Sequence, residues 1–145
     1  MNAATCRKDR LDTFARGLVL LRQALARGAD GLSPLEQEGA IRRFEYCLEG
    51  AWKAAREFLE HSGLRIAPVT PREVLRQAAT AGVVAESQVW IDMFDHRNLL
   101  AHNYDGVAIA EVTQALVLRY FPAMEQLHDF LAAANPEAEP PASYR

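Results

Sequence analysis

Residues 33–58, which read SPLEQEGAIRRFEYCLEGAWKAAREF, decide the fold of this chain. Ser33 can cap a helix, Pro34 suits the first helical position, and Glu36 completes a capping box with Ser33. Apolar residues then recur at steps of three and four, which is the repeat of one helix face: Ile41, Phe44, Leu48, Ala51, Ala55 and Phe58. The stretch therefore predicts a long amphipathic helix that ends near residues 62–63.

The segments on both sides show the same helical repeat. Upstream, the apolar positions are Leu11, Phe14, Leu18, Leu21 and Leu25, and the glycines at 28 and 31 are plausible stop signals. Downstream, Thr70-Pro71-Arg72-Glu73 repeats the capping-box pattern and predicts a short helix. Gly82 is its natural C-cap, and Val83 is placed to make the accompanying apolar contact.

Two more helices are predicted in the second half of the chain. One begins near Glu86-Ser87 and contains Trp90, Phe94 and Leu99. The pair Asp105-Gly106 marks a turn. A long last helix then has the apolar stripe Val112, Leu116, Tyr120, Met124, Leu127 and Leu131.

The predicted fold class is all-α. No alternating strand pattern appears, so we expect an antiparallel up-and-down bundle of four to five helices, with three long helices and a short helical insertion. Residues 1–134 form one domain in this interpretation, and residues 135–145 form a disordered Pro-rich tail. Bundles of this size often dimerise, and we expect a homodimer.

Composition narrows the classes of function. The chain has 145 residues and a net charge of −3, which argues against a general nucleic-acid coat. The two cysteines, Cys6 and Cys47, are isolated and lack zinc-ligand spacing, so we expect no metal and no cofactor. Neither a signal peptide nor an apolar run of membrane-spanning length is apparent, which predicts a cytoplasmic protein without membrane contact.

The segment RNLLAHNY, residues 97–104, contains the residue types that could perform chemistry. His102 can exchange a proton near neutral pH, and Arg97 can hold a phosphate through two parallel hydrogen bonds. Asn98 can orient either group. These types suit phosphodiester cleavage without a metal, although Arg and His at a helix end often contact only the last carbonyl groups.

Spacing constrains how this segment could work. Asn98 and His102 are four residues apart and share a helix face, whereas Arg97 and His102 are about 140° apart around an ideal helix. Arg97 and His102 therefore converge only if the helix ends or bends near His102, or if a second subunit completes the site. Tyr104 taken alone is typical of a half-buried anchor with a solvated hydroxyl.

Other polar positions allow two interpretations. Glu45, Glu49 and Lys53 follow one another at four-residue steps on the predicted helix. They form either a solvated stripe of ion pairs or a polar wall that faces the site. Asp92 and His96 have the spacing of an exposed pair. The remaining candidates are Arg42-Arg43, which could be a surface pair or a local RNA contact, and Trp52 and Trp90, which suit a core or an interface.

These motifs together resemble a known family. Ala40–Tyr46, Ala51-Trp52-Lys53, Thr70–Val74, Ala81-Gly82, Trp90–Met93 and Arg97–Tyr104 match, in order, the nucleotidyltransferase substrate-binding protein family, over roughly residues 8 to 131. That family is similar to the HEPN superfamily, and the form Arg-x4-His-x-Tyr also marks HepT-type toxins. One departure is Leu100-Ala101, where the family commonly has a polar pair.

The resemblance implies a dimeric helical bundle in which two Arg/His pairs share a cleft and cleave RNA without a metal. It also implies a partner, a minimal nucleotidyltransferase that acts as antitoxin and in some systems adds AMP to the motif tyrosine, here Tyr104. Two alternatives stay open. One is a non-catalytic subunit that presents substrate to the nucleotidyltransferase. The other is a structural dimer with a degenerate site, which would bury Arg97 in an ion pair with no cleft nearby.

Overall fold

The computed structural model describes residues 3–134, with side chains from residue 7 onward. Every regular element in this range is helical: α1 (Ala3–Ala24), a 3₁₀ turn (Ala29–Gly31), α2 (Pro34–His61), α3 (Pro71–Thr80), α4 (Ser87–His102), α5 (Gly106–Ala115), a π-helical turn (Leu116–Tyr120) and α6 (Phe121–Ala134). The prediction of an all-α bundle is confirmed. The predicted Pro-rich tail lies outside the described residues.

Helix α2 lies at the centre of the bundle and packs against α1, α3, α5 and α6. Its predicted apolar face is buried, apart from the partly exposed Phe58. Most of the apolar stripes predicted on the other helices join the same core, which also contains Trp90, whereas Leu99 is exposed. Cys47 belongs to this core as a free thiol, and burial raises its pKa to about 12.

The helix starts follow their capping signals with one difference. At α2 the box is complete: Glu36 N–H donates to Ser33 Oγ at 3.1 Å, and Ser33 N–H donates to Glu36 Oε1 at 2.9 Å. At α3 only Glu73 N–H donates to Thr70 Oγ1. The Thr70 N–H donates to the Pro68 carbonyl and the Glu73 carboxylate accepts from Gln77, so the second predicted box is only half formed.

Gly82 ends the α3 region in the left-handed conformation that favours glycine, at φ 79°. Val83 follows it into the core and is buried, as predicted. Asp105 caps α5 by accepting from Ala108 N–H at 2.8 Å, and Gly106 is the first residue of that helix. The turn that was expected at residues 105–106 therefore lies slightly earlier. Asn103 to Asp105 therefore form the whole connection between α4 and α5.

The predicted long last helix contains a π-helical turn that the sequence analysis did not anticipate. α5, the π-helical turn and α6 follow one another directly, from Gly106 to Ala134. The buried residues Val112, Leu116, Tyr120 and Met124 are spaced by steps of four, and each step exceeds one turn of an ideal α-helix by about 40°. A wider turn absorbs this excess and keeps all four side chains on the core.

None of the helices in the described range combines the length and apolar character needed to cross a membrane.

Candidate functional site

The last turns of α4 present Arg97 beside α2. The Arg97 side chain is 31% exposed, and its guanidinium carbon lies 5.1 Å from the centre of the Phe94 ring, one turn earlier. Its Nη1 atom lies 3.8 Å from Oε2 of Glu49 on α2. The Phe94 ring and the Glu49 carboxylate therefore position the Arg97 guanidinium, which remains accessible to solvent.

An open groove of about 400 Å³ lies next to Arg97. Its lining comes from α2, from α4 and from the connection after α4: Glu45, Arg97, Asn98, Leu100, Ala101 and Tyr104. The arrangement places four of the predicted site residues on one surface: Glu45, Arg97, Asn98 and Tyr104. The condition set for a degenerate structural dimer is not met, because Arg97 is not buried and a groove adjoins it.

Glu49 accepts contacts from three donors. Trp52 Nε1 donates to Oε2 at 3.1 Å, Lys53 Nζ lies 3.3 Å from Oε1, and Arg97 approaches Oε2. Partial burial opposes ionisation of Glu49, but the contacts with Trp52, Lys53 and Arg97 outweigh it and lower the pKa of the carboxyl. Glu49 is thus paired with Lys53 on its own helix and with Arg97 on α4.

Tyr104 lies in the connection between α4 and α5 and is 51% exposed. Partial burial raises the pKa of its phenol, and the carboxylates of Glu38 and Glu45 raise it further. The phenol is therefore a neutral, accessible hydroxyl close to acidic groups. Sequence reasoning missed Glu38, although residues 38, 45 and 49 follow steps of seven and four and so share one face of α2.

His102 is separated from Arg97 in this single chain. It is the last residue of α4, its side chain is exposed, and it forms no hydrogen bond or ion pair within the part of the chain whose side chains are described. α4 stays helical through His102, and the cap N–H of Asn103 bonds to the Leu99 carbonyl at 2.7 Å. The helix end therefore does not bring Arg97 and His102 together.

Asp92 and His96 are both partly buried rather than exposed, and each has its hydrogen bonds with other residues, although the charge of His96 helps to lower the pKa of Asp92. His96 Nδ1 lies 2.6 Å from the Tyr120 hydroxyl, in the π-helical turn. Asp92 accepts from Arg119 Nη2 at 2.8 Å and from Gln88 Nε2 at 2.8 Å. Two contacts thus join α4 to the π-helical turn, directly before Arg97. These two contacts could not be predicted from local spacing, because Arg119 and Tyr120 are more than 20 residues away from Asp92 and His96 in the sequence.

The remaining candidates lie outside the groove. Arg43 and Arg42 are exposed, and Arg43 Nη1 donates to the Leu20 carbonyl at 2.6 Å, which makes this pair a surface feature that also joins α2 to α1. Trp90 is buried and Trp52 is partly buried. Among the described residues, no group of three or more His, Cys, Asp or Glu side chains is placed to hold a metal ion.

Comparisons with known proteins agree with the helical arrangement. A family model described as "nucleotidyltransferase substrate binding protein like" matches residues 9–133. A crystal structure of a protein from Thermus thermophilus is 31% identical, with a TM-score of 0.71, and the match covers 81% of this chain and 98% of that one.

The chain is also similar to a curated protein whose name states an enzymatic activity. The protein named "Probable ribonuclease HepT" from Haemophilus influenzae is 27% identical over 70 residues, which are 46% of this chain. The matched part is 48% of that relative, so the chain spans about half the length of the curated relative that it matches.

Proposed function

Because this chain belongs to the nucleotidyltransferase substrate binding protein-like family, we propose that it is a HEPN-type toxin subunit that cleaves RNA without a metal ion. One observation carries the proposal: Arg97 is accessible at the edge of an open groove, and the exposed His102 lies on the same helix. The similarity to a protein named as a probable ribonuclease supports the same activity.

The proposed mechanism gives each residue one task. His102 accepts the proton of a ribose 2′-hydroxyl while the 2′-oxygen forms a bond to phosphorus. Arg97 holds the phosphate and stabilises the charge that builds on its oxygens. Asn98 orients one of these groups. The bond from phosphorus to the 5′-oxygen then breaks, that oxygen takes a proton from water, and His102 returns its proton to the solvent. The products are a cyclic phosphate and a 5′-hydroxyl.

The mechanism requires two copies of the chain. α4 is helical from Ser87 to His102, so Arg97 and His102 of one copy diverge by about 140°. In the proposed homodimer, α4 helices of the two copies meet across a two-fold axis, and Arg97 of each copy faces His102 of the other. The expected partner outside the dimer is a minimal nucleotidyltransferase that acts as antitoxin.

Tyr104 is the proposed point of control. Its half-exposed phenol lies on the groove that also contains Arg97. Addition of AMP by the nucleotidyltransferase would place bulk and a negative charge in that groove, and both would exclude an RNA phosphate.

Expression of the chain alone and together with its neighbouring nucleotidyltransferase tests this function. We expect growth arrest and RNA cleavage with the chain alone, relief by the partner, and loss of both effects in Arg97→Ala and His102→Ala. Circular dichroism of the variants controls for folding. A purified dimer that cleaves no RNA, with both variants as harmless as the wild type, would contradict the proposal.

A second candidate function is a non-catalytic subunit that presents substrate to the nucleotidyltransferase. Three carboxylates favour it: Glu45 lines the groove, Glu38 lies close to Tyr104, and Glu49 contacts Arg97. Their negative charges repel an RNA backbone. In that case, Arg97→Ala changes the activity of the partner enzyme, and no RNA cleavage by the chain is detected at any stage.

A further inference from the structure

The carboxylate of Glu49 occupies a position that is built to hold an anion. Three groups surround it: the indole N–H of Trp52 at 3.1 Å, the ammonium of Lys53 at 3.3 Å, and the guanidinium of Arg97 as an ion pair at 3.8 Å. They come from two helices, since Trp52 and Lys53 belong to α2 and Arg97 belongs to α4. Each donor reaches one of the two carboxylate oxygens.

A phosphodiester can replace a carboxylate as the acceptor of these contacts. Both groups present negatively charged oxygens that accept charge-assisted hydrogen bonds from Arg and Lys. The Glu49 side chain is 47% exposed and the Lys53 side chain is 40% exposed, so neither is locked into the core. An exposed ion pair of this kind contributes little to stability and can exchange partners.

Two open grooves adjoin the contact between Glu49 and Arg97. One groove is lined by Arg97, the residue that Glu49 contacts. Glu49 and Lys53 themselves line a second groove, of about 380 Å³, between α1 and α2. Tyr46 is 56% exposed there and offers an aromatic ring to a base. A strand that passes from one groove to the other crosses Glu49.

We propose that Trp52, Lys53 and Arg97 form a phosphate-binding subsite for RNA, and that the Glu49 carboxylate occupies it until the substrate displaces it. Lys53 and Trp52 are then substrate-binding residues, and Glu49 is an internal competitor that keeps the affinity of the resting site low. This inference rests on the proposed RNA cleavage, because the ligand that it names is the substrate of that reaction.

The test measures RNA binding separately from cleavage. A single-stranded 2′-O-methyl RNA oligonucleotide lacks the nucleophile for cleavage, and its binding to the full chain is followed by fluorescence anisotropy at several salt concentrations. Glu49→Gln removes the competing charge, so we expect RNA to bind about three to ten times more tightly. Lys53→Gln is expected to weaken binding by a similar factor and to lower the salt slope by about 0.7.

The same helix offers matched controls. Arg56 and Glu60 form an i,i+4 ion pair whose side chains are 39% and 46% exposed, almost the same as Lys53 and Glu49. Glu60→Gln and Arg56→Gln therefore make the same charge changes without touching Arg97, and we expect RNA affinities close to that of the wild type. Thermal melting of all four variants shows whether each one is folded.

Two results would overturn the subsite. One is a Glu49→Gln chain that binds RNA no more tightly than the Glu60→Gln chain, and the other is a Lys53→Gln chain whose RNA affinity equals that of the Arg56→Gln chain. Cleavage of the corresponding 2′-hydroxyl RNA is measured in parallel. A chain that shows the expected changes in affinity but cuts no RNA would contradict the proposed ribonuclease and still support the subsite.

Discussion

The Tyr120 hydroxyl and His96 Nδ1 lie 2.6 Å apart, and this hydrogen bond joins the π-helical turn to α4 one residue before Arg97. Tyr120 is fully buried and stacks on Phe44 of α2, with ring centres 5.8 Å apart. Burial raises the pKa of its phenol to about 12, so the hydroxyl keeps its proton at neutral pH. The central helix, the π-helical turn and the site helix are thereby fixed relative to one another.

Tyr120→Phe is expected to lower the free energy of unfolding by about 1 to 2 kcal/mol, because it keeps the stacked ring and leaves His96 without its hydrogen-bond partner. Chemical denaturation measures the difference. Tyr46→Phe is the matched control, since Tyr46 is 56% exposed and its loss of a hydroxyl should cost almost nothing. Equal stability of the two variants would show that the contact between Tyr120 and His96 contributes nothing.

Mixing two inactive variants should restore activity if the site forms across a dimer. Arg97→Ala supplies an intact His102, and His102→Ala supplies an intact Arg97. In an equal mixture after subunit exchange, half of the dimers contain one complete site, so about a quarter of wild-type activity is expected. Each variant alone serves as the baseline. A mixture as inactive as its components would indicate that Arg97 and His102 act within one chain.

Modification by the partner nucleotidyltransferase should require Tyr104. After coexpression, mass spectrometry is expected to find AMP on the wild-type chain and none on Tyr104→Phe, whose growth arrest the partner then fails to relieve through this route. Tyr46→Phe retains Tyr104 and should be modified normally, because Tyr46 is equally accessible but lies in the other groove. Modification that persists in Tyr104→Phe would assign the control to another residue.

Stability should fall at alkaline pH because of Cys47. The folded chain raises the pKa of this buried thiol from 9 to about 12, so the thiol keeps its proton in the folded chain after the unfolded chain has lost it. The unfolded chain is therefore increasingly favoured as the pH rises through this range. Denaturation from neutral pH to about pH 11 should show a steeper decline for the wild type than for Cys47→Ala. Parallel declines would contradict this cause.

Local signals were enough to predict most of the helices. The Ser33 and Glu36 capping box, the glycine at position 82 and the apolar repeat on α2 involve residues only a few positions apart. Such interactions form within one helix or turn, so their outcome can be derived from neighbouring residues. The half-formed box at Thr70 shows the limit, because the Thr70 N–H has a competing acceptor, the Pro68 carbonyl, that spacing does not reveal.

The spacing of apolar residues in the last helix already indicates that a regular α-helix fits it poorly. Val112, Leu116, Tyr120 and Met124 follow three successive steps of four, which an ideal α-helix spreads over about 120° of its circumference. All four are buried, so the helix widens to keep them on one face. Deciding between a widened helix and a broad apolar face requires knowledge of what packs against it.

The sequence by itself determined the helices, the apolar faces and the candidate groups Arg97, His102 and Tyr104, because these depend on residue chemistry and short spacing. Only the tertiary structure decided which groups meet. It placed Glu49 between Lys53 and Arg97, joined His96 to Tyr120, and left His102 apart from Arg97 within one chain. The physical reason is that these relationships depend on how separate helices pack, and partners far apart in sequence leave no trace in local spacing.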